Sequence, residues 1–346
     1  MRSLLVPLSI ALCLAAVGCS RQHATEALRS GDEIVVCGRL FHTGAPVVLW
    51  TDPGGYDAYR TEKRFVPWDR APWQPPPQGA KTDGPSSPNR YGVRFAPGSD
   101  DGPLSKADFE RVRGGGWDLP TLQKCIDQFV LHYDVSGVSR QCFHVLHDGR
   151  GLSIHFMLDI DGTVYQTMDV KEKAWHATIS NDRSIGVEIA NVGAYGADEK
   201  DPFAQWYRPA PQDPSQVVIS IPQQLGDGGV RTTRFVGRPD RPGPVSGQIQ
   251  GRLLRQYDFT PEQYRSLERL TNTLCSLFPN IRRDYPRGPD GAVIPYKLDD
   301  EALRNFHGIL GHYHIQANKS DPGPALQWER LVSPGYVAGE RSDLGW

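Results

Sequence analysis

The segment Gly311-His312-Tyr313-His314-Ile315-Gln316-Ala317-Asn318-Lys319-Ser320-Asp321-Pro322-Gly323-Pro324 constrains the fold more than any other part of this chain. It packs an imidazole, an ammonium and a carboxylate closely together, and its far end is stiffened by Pro-Gly-Pro, whose prolines preset φ. His312 and Asp321 alone prove little. A third ligand candidate, His132, lies far upstream in the apolar run Phe129-Val130-Leu131-His132-Tyr133-Asp134. If His132, His312 and Asp321 share one zinc ion, the chain must fold so that these distant segments meet. Three protein ligands leave the fourth tetrahedral position open for water, as in catalytic rather than structural zinc sites. His314 is a rival imidazole on the same segment, and His132 read alone could equally be a hydrogen-bonded core histidine.

The chain has 346 residues, enough for one large or two modest domains with a sizeable core. Its formal net charge is −2 and it has no long Lys/Arg run, so nothing supports nucleic-acid binding. Met1-Arg2 and the apolar run from Leu4 to Val17 read as a signal peptide, too short to span a bilayer as a mature helix. The run ends in Ala16-Val17-Gly18-Cys19, which resembles the lipobox of bacterial lipoproteins, with Ala16 where Leu is usual. That likeness implies a signal over 1–18, lipid on Cys19, and attachment to a membrane surface without a span. Ser20 in that class favours the outer membrane. An ordinary secretory signal with an incidental cysteine is the alternative. Export leaves Cys37, Cys125, Cys142 and Cys275, with three possible pairings. Cys125 with Cys142, flanking the His132 run, is the first pair to test, against buried free thiols.

Residues 19–32 read as a tether, and 33–118 as a β-rich and Pro/Gly-rich N-terminal extension. Ile34-Val35-Val36 and Val47-Val48-Leu49-Trp50 suggest a hairpin or small sheet appendage, and residues 67–104 an irregular surface segment. The main domain spans 119–335, with a tail over 336–346. Asp127 to Asp134 is β-like, and Val138 to His147 suggests a short helix closed by Gly149. Ser153 to Asp159 and Thr163 to Thr167 flank Asp161-Gly162 as a hairpin. In Ile185-Gly186-Val187-Glu188-Ile189-Ala190 the alternation places the three aliphatics on one face and Glu188 on the other, where small neighbours leave it room to reach a site. Residues 195–255, rich in Pro, Gly and Arg, read as a long loop insertion. Thr260-Pro261-Glu262-Gln263 is a helix start with a capping box, followed by Tyr264, Leu267, Leu270, Leu274 and Leu277 at helical spacing up to Pro279. Interleaved helices and strands predict an α/β fold, a mixed central sheet flanked by helices.

Four segments carry a specific likeness: Val130-Leu131-His132-Tyr133; His155-Phe156-Met157-Leu158-Asp159 with Asp161-Gly162-Thr163-Val164-Tyr165-Gln166; Ala174-Trp175-His176-Ala177 with Ser184-Ile185-Gly186-Val187-Glu188; and Gly311-His312 with Lys319-Ser320-Asp321-Pro322-Gly323-Pro324. From Phe129 to Pro324 the chain resembles the zinc-dependent N-acetylmuramoyl-L-alanine amidases, the type shared by phage lysozyme-like amidases and animal peptidoglycan recognition proteins. The lipoprotein start resembles an outer-membrane branch of that family. The resemblance implies one zinc ion held by His132, His312 and Asp321, with Glu188 and Lys319 as the catalytic pair. Asp321 argues for a working enzyme, because members that only bind peptidoglycan typically lack a ligand there. Neither the segment from Glu33 to about Asp118 nor the insertion is covered by the general family pattern.

Under this resemblance the substrate is peptidoglycan or a muropeptide. The bond cut joins the lactyl group of N-acetylmuramic acid to L-alanine, in cell-wall turnover on the periplasmic face of the envelope. His155, Trp175 and His176 fall in matched motifs and are read as substrate-binding, with support of the metal ligands an alternative for the two histidines and aromatic packing the alternative for Trp175. His144 and His147 lie outside those motifs and read as surface or packing residues. Two other functions remain open at this point: a non-catalytic peptidoglycan-binding lipoprotein, and a zinc peptidase acting within the stem peptide.

Overall fold

The apolar runs around His132, Glu188 and Gly311 become three adjacent parallel strands buried on both faces, as continuous aliphatic strands in α/β folds are. The computed structural model describes residues 29–59, 91–92, 94–95 and 102–332. In chain order the strands are β1 (Glu33–Val36), β2 (Arg39–His42), β3 (Val47–Leu49), β4 (Tyr91–Gly92), β5 (Gln128–Tyr133), β6 (Phe156–Leu158), β7 (Val164–Gln166), β8 (Lys173–Ala174), β9 (Ser184–Ile189), β10 (Tyr207–Ala210), β11 (Asp213–Ile219), β12 (Val245–Ile249), β13 (Arg252–Gln256) and β14 (Gly308–Gly311). The helices are α1 (Lys106–Arg113), α2 (Leu119–Cys125), α3 (Ser139–Phe143), α4 (Phe203–Trp206), α5 (Pro261–Leu277), α6 (Asp300–Asn305) and α7 (Trp328–Val332).

The central sheet has the order β14-β5-β9-β6-β7-β3. All neighbours run parallel except β6 and β7, joined by the tight Asp161-Gly162 turn. Phe129 and Leu131 of β5 and Ile185, Val187 and Ile189 of β9 enter one core with Leu267, Leu270 and Leu274 of α5. The opposite face of β5 packs Val130 against Leu298, Leu303 and Ile315, while Met157 of β6 meets Cys142 and Phe143 of α3. Period-two alternation therefore divides each strand between two cores. His132 and Glu188 lie on the α3 side and are directly paired across β5 and β9.

Helix α5 starts as its sequence predicts. Thr260 Oγ1 accepts from Gln263 N at 3.0 Å, and Gln263 Oε1 accepts from Thr260 N at 2.9 Å. The cap also ties the helix to the sheet, since Thr260 Oγ1 donates to Ile160 O at 2.7 Å and Gln263 Nε2 to Ala190 O at 2.8 Å.

Two sequence expectations change. The runs at Ile34 and Val47 do not pair with each other: β1 forms a hairpin with β2, while β3 joins the edge of the central sheet parallel to β7. Gln166 bridges the two parts, accepting from Val35 N at 2.7 Å and donating to Val35 O at 2.8 Å. The insertion is not a plain loop. It forms the hairpins β10–β11 and β12–β13, and its Phe203, Trp206 and Tyr207 pack on Val138, Ile160 and Val192. Its β11 exposes or half-exposes every residue, so no apolar alternation marks it in the sequence.

Cys37, Cys125, Cys142 and Cys275 are all free thiols, so Cys125 and Cys142 are not bridged and are held as buried side chains. No helix among the described residues is long and apolar enough to cross a membrane. Residues 1–18, Cys19, most of the tether and of the Pro-rich segment, and the tail over 336–346 lie outside the described residues.

Candidate active site

The C-terminal ends of the three parallel strands place the predicted ligands. His132 is the penultimate residue of β5, Glu188 is its neighbour on β9, and His312 follows β14 directly, where the chain turns into a short 3-10 segment. The loop after it returns Asp321 to the same point, with Tyr313 N donating to Asp321 O at 3.1 Å. Residues almost 200 positions apart thereby converge. His132 Nδ1, His312 Nδ1 and Asp321 Oδ2 form a triangle with sides of 2.8, 2.9 and 3.0 Å, and all three residues are buried.

Nitrogen and oxygen lone pairs facing one another at such distances repel unless a proton or cation lies between them. The remaining ring nitrogens show which. His312 Nε2 is 2.6 Å from Gln316 Oε1, and His132 Nε2 is 3.0 Å from His176 Nδ1. Donation from Nε2 to the Gln316 carbonyl leaves the Nδ1 lone pair of His312 pointing into the triangle. Burial, with His312 beside it, holds His132 down to about 4, so its ring is neutral near pH 7. Burial acts to raise the Asp321 carboxyl, but His312 and His132 overcome it and keep the group well below the usual carboxylate range. Two imidazoles and one carboxylate are a zinc donor set, and a tetrahedral ion with bonds of about 2.0–2.2 Å sets its ligand atoms roughly 3.3 Å apart. The triangle needs to open by only a few tenths of an ångström, so the residues fit the ion.

Glu188, Lys319, Trp175 and His176 line one cavity with the three candidate ligands. Glu188 is buried, and its Oε2 has no hydrogen-bond partner among the described residues. Burial, then the nearby Asp321 and Asp134, pushes its carboxyl well above the ordinary glutamate value. Gly186 on its strand and Ala190 just past the strand's end flank it, as the alternation predicts, but the space over Gly186 is filled: a Cβ there would stand 2.5 Å from the His176 ring.

The other histidines separate cleanly. His314 is not on a common strand face with His312. Its Nδ1 accepts from Gly311 N at 2.9 Å and its Nε2 reaches Ile294 O at 2.7 Å, a structural role in the core. His155 has no exposed surface and does not line the cavity; its Nδ1 accepts from Gly186 N, and its Nε2 donates to Glu172 O at 2.9 Å. Exposed His144 pairs with Asp148, and buried His147 bonds Ala58 O.

Sequence reading missed three side chains. Gln316, four residues after His312, orients its ring, a spacing that could have been noticed. Arg150 stands on the cavity wall. Gln250, in the turn between β12 and β13, donates from Nε2 to Tyr313 O and Gln316 O at 2.8 and 3.2 Å, clamping the ligand loop from within the insertion. Nothing local in the sequence marks Gln250.

A family model described as N-acetylmuramoyl-L-alanine amidase matches residues 122–324, more than half of the chain, and the chain belongs to that family. It is accordingly an enzyme, an amidase acting on the N-acetylmuramoyl-L-alanine bond of peptidoglycan. Similar solved structures include a selenomethionine derivative of AmpD, at 16% identity, covering 60% of this chain and 84% of that one, with a TM-score of 0.28. The amidase AmiD from E. coli, in complex with anhydro-N-acetylmuramic acid-L-Ala-D-gamma-Glu-L-Lys, is 18% identical over 60% of this chain and 56% of that one, with a TM-score of 0.31. The endolysin amidase LysCS from Clostridium intestinale URNW is 15% identical over 61% and 83%, with a TM-score of 0.30. At these scores the assignment rests on the family match alone. Among curated proteins no sequence matches the chain.

Proposed function

We propose that the chain is a zinc-dependent amidase that separates N-acetylmuramic acid from L-alanine in peptidoglycan or muropeptides during cell-wall turnover. The observation that carries the metal is the convergence of His132 Nδ1, His312 Nδ1 and Asp321 Oδ2, which would hold the ion. Zinc bound there supplies Lewis acidity toward the attacking water and the scissile carbonyl. Glu188 takes a proton from that water at its carboxylate and returns it to the L-alanine nitrogen as the amide bond breaks. Lys319, two residues before Asp321 and on the same cavity wall, places its ammonium against the charge that develops on the carbonyl oxygen. Trp175 offers an aromatic face at the cavity edge for sugar or stem peptide.

The sequence of residues 1–20 supports a lipid anchor at Cys19 and a place on the periplasmic face of the outer membrane. Metabolic labelling with a radioactive fatty acid tests this: label on the wild type and none on Cys19→Ala supports the anchor, and equal label on both removes it. The reaction is tested with defined muropeptides, with and without a chelator, by mass spectrometry. Intact stem peptides beginning at L-alanine, formed only without chelator, are expected. Shortened peptides would point instead to a stem peptidase, and a zinc-loaded protein without products to a binding protein. Metal analysis of His312→Ala should show loss of zinc.

A further inference from the structure

Among the described residues the outer nitrogen of the His132 ring has one hydrogen-bond partner, with Nε2 standing 3.0 Å from Nδ1 of His176. With Nδ1 of His132 facing the ligand triangle, the proton of the neutral ring is on Nε2, so His176 must accept at Nδ1. That assigns the His176 proton to Nε2, which donates to Ser184 Oγ at 3.1 Å. The usual outer partner of a metal-bound imidazole is a carboxylate, a carbonyl or water. Here it is a second imidazole, which can serve only while one tautomer is enforced.

The enforcement is built in. The His176 ring stands directly over Gly186, and both His176 N and Ala177 N donate to Asn181 Oδ1, at 3.1 and 2.7 Å. The turn carrying Asn181 and Ser184 is gripped in turn by Arg94, which belongs to the N-terminal extension and lies outside the family match. Arg94 has no exposed surface. Its Nη1 donates to the carbonyls of Asn181, Asp182 and Ser184 at 3.3, 3.0 and 3.0 Å, and its Nη2 to Val170 O at 2.9 Å. A guanidinium buried among carbonyls is costly, and packing alone is served better by an apolar side chain. What the arginine provides is a fixed position for three carbonyls at one turn, tied to a fourth at Val170.

We propose that Arg94 and His176 form an outer brace for the metal centre, through which the N-terminal extension holds the His132 ring in its ligating tautomer and orientation. Both are positioning residues: Arg94 acts through the 181–184 turn on His176, and His176 acts on His132. The proposal rests on His132 being a ligand.

Zinc affinity, read by competition with a chromophoric chelator on the full chain, tests it alongside the melting temperature of the metal-free protein. His176→Leu should weaken zinc about 10- to 100-fold, the range for lost outer partners. His176→Asn, whose Oδ1 can stand where Nδ1 stands, should recover most of that. Arg94→Met should weaken zinc in the same direction, and the double variant His176→Leu with Arg94→Met should be no weaker than His176→Leu alone, because both act on one ring. If Arg94→Met does not fold, Ser184→Ala removes only the terminal acceptor and should lower affinity with an unchanged melting temperature. Zinc affinity within twofold of wild type in His176→Leu, or in Ser184→Ala, overturns the brace. Full additivity in the double variant, or a change in apo melting alone for Arg94→Met, removes Arg94 from it. Unchanged zinc binding in His132→Ala would instead overturn the ligand assignment itself.

Discussion

At the scale of single residues, the proposed chemistry assigns metal holding and proton movement to different side chains. Glu188 touches none of the three donor atoms by hydrogen bond, whereas His132, His312 and Asp321 meet only through theirs. Glu188→Gln should therefore keep its zinc while losing about 100- to 10,000-fold in turnover, the usual worth of a general base; metal content and muropeptide hydrolysis measured on one preparation check this. A second consequence lies away from the metal. Asp159 has no exposed surface, and its Oδ2 has no partner among the described residues. Burial, only partly offset by the N–H groups of Ile160 and Ser139, pushes its carboxyl up to about 8. The folded state thus keeps a proton that the unfolded chain releases near 3.8, so this group's stabilisation is full below about pH 3.8 and is lost as pH rises through about 8. Asp159→Asn should flatten the fall of the urea midpoint across that window, with chelator present. Asp134 and Glu172, each raised to about 7 by burial, act in the same direction, so the decline is reduced rather than abolished.

Among elements, the start of α5 and the β12–β13 hairpin show how parts remote from the chemistry secure it. Thr260 caps α5 and also binds Ile160 O beside the Asp161-Gly162 turn. Thr260→Ala loses both, and a fall of about 1–2 kcal/mol in unfolding free energy is expected from urea titration. This helix was legible from its capping box and its leucine spacing because those signals are local. The insertion was not. Its strands are short and largely exposed, and Gln250 acquires its role only from the carbonyls of the 312–319 loop that the fold brings against it. Arg94 is the same case, an arginine in a Pro- and Gly-rich stretch that ends with no exposed surface.

In the whole molecule, the N-terminal extension is part of the fold. Ile34, Val36, Val47 and Leu49 are buried in the main core, and β3 completes the sheet. Each such side chain contributes about 1.5–3 kcal/mol when buried, and four of them together rival the 5–15 kcal/mol that typically holds a domain folded. A fragment beginning at residue 102 keeps the entire family-matched region, yet it is expected to show no cooperative thermal transition by circular dichroism. A fragment melting like the full chain would refute this.

The sequence by itself determined the donor types, the aliphatic strands carrying His132 and Glu188 and the capped helix, because residue chemistry, period-two burial and capping are written in neighbouring residues. Tertiary structure alone decided that His314 serves the core while His312 faces Asp321, that His155 sits beneath the cavity while His176 reaches His132, and that Arg94 and Gln250 brace the centre. Those outcomes depend on which distant backbone groups arrive beside each ring. Only the pairing of β14, β5 and β9 sets that.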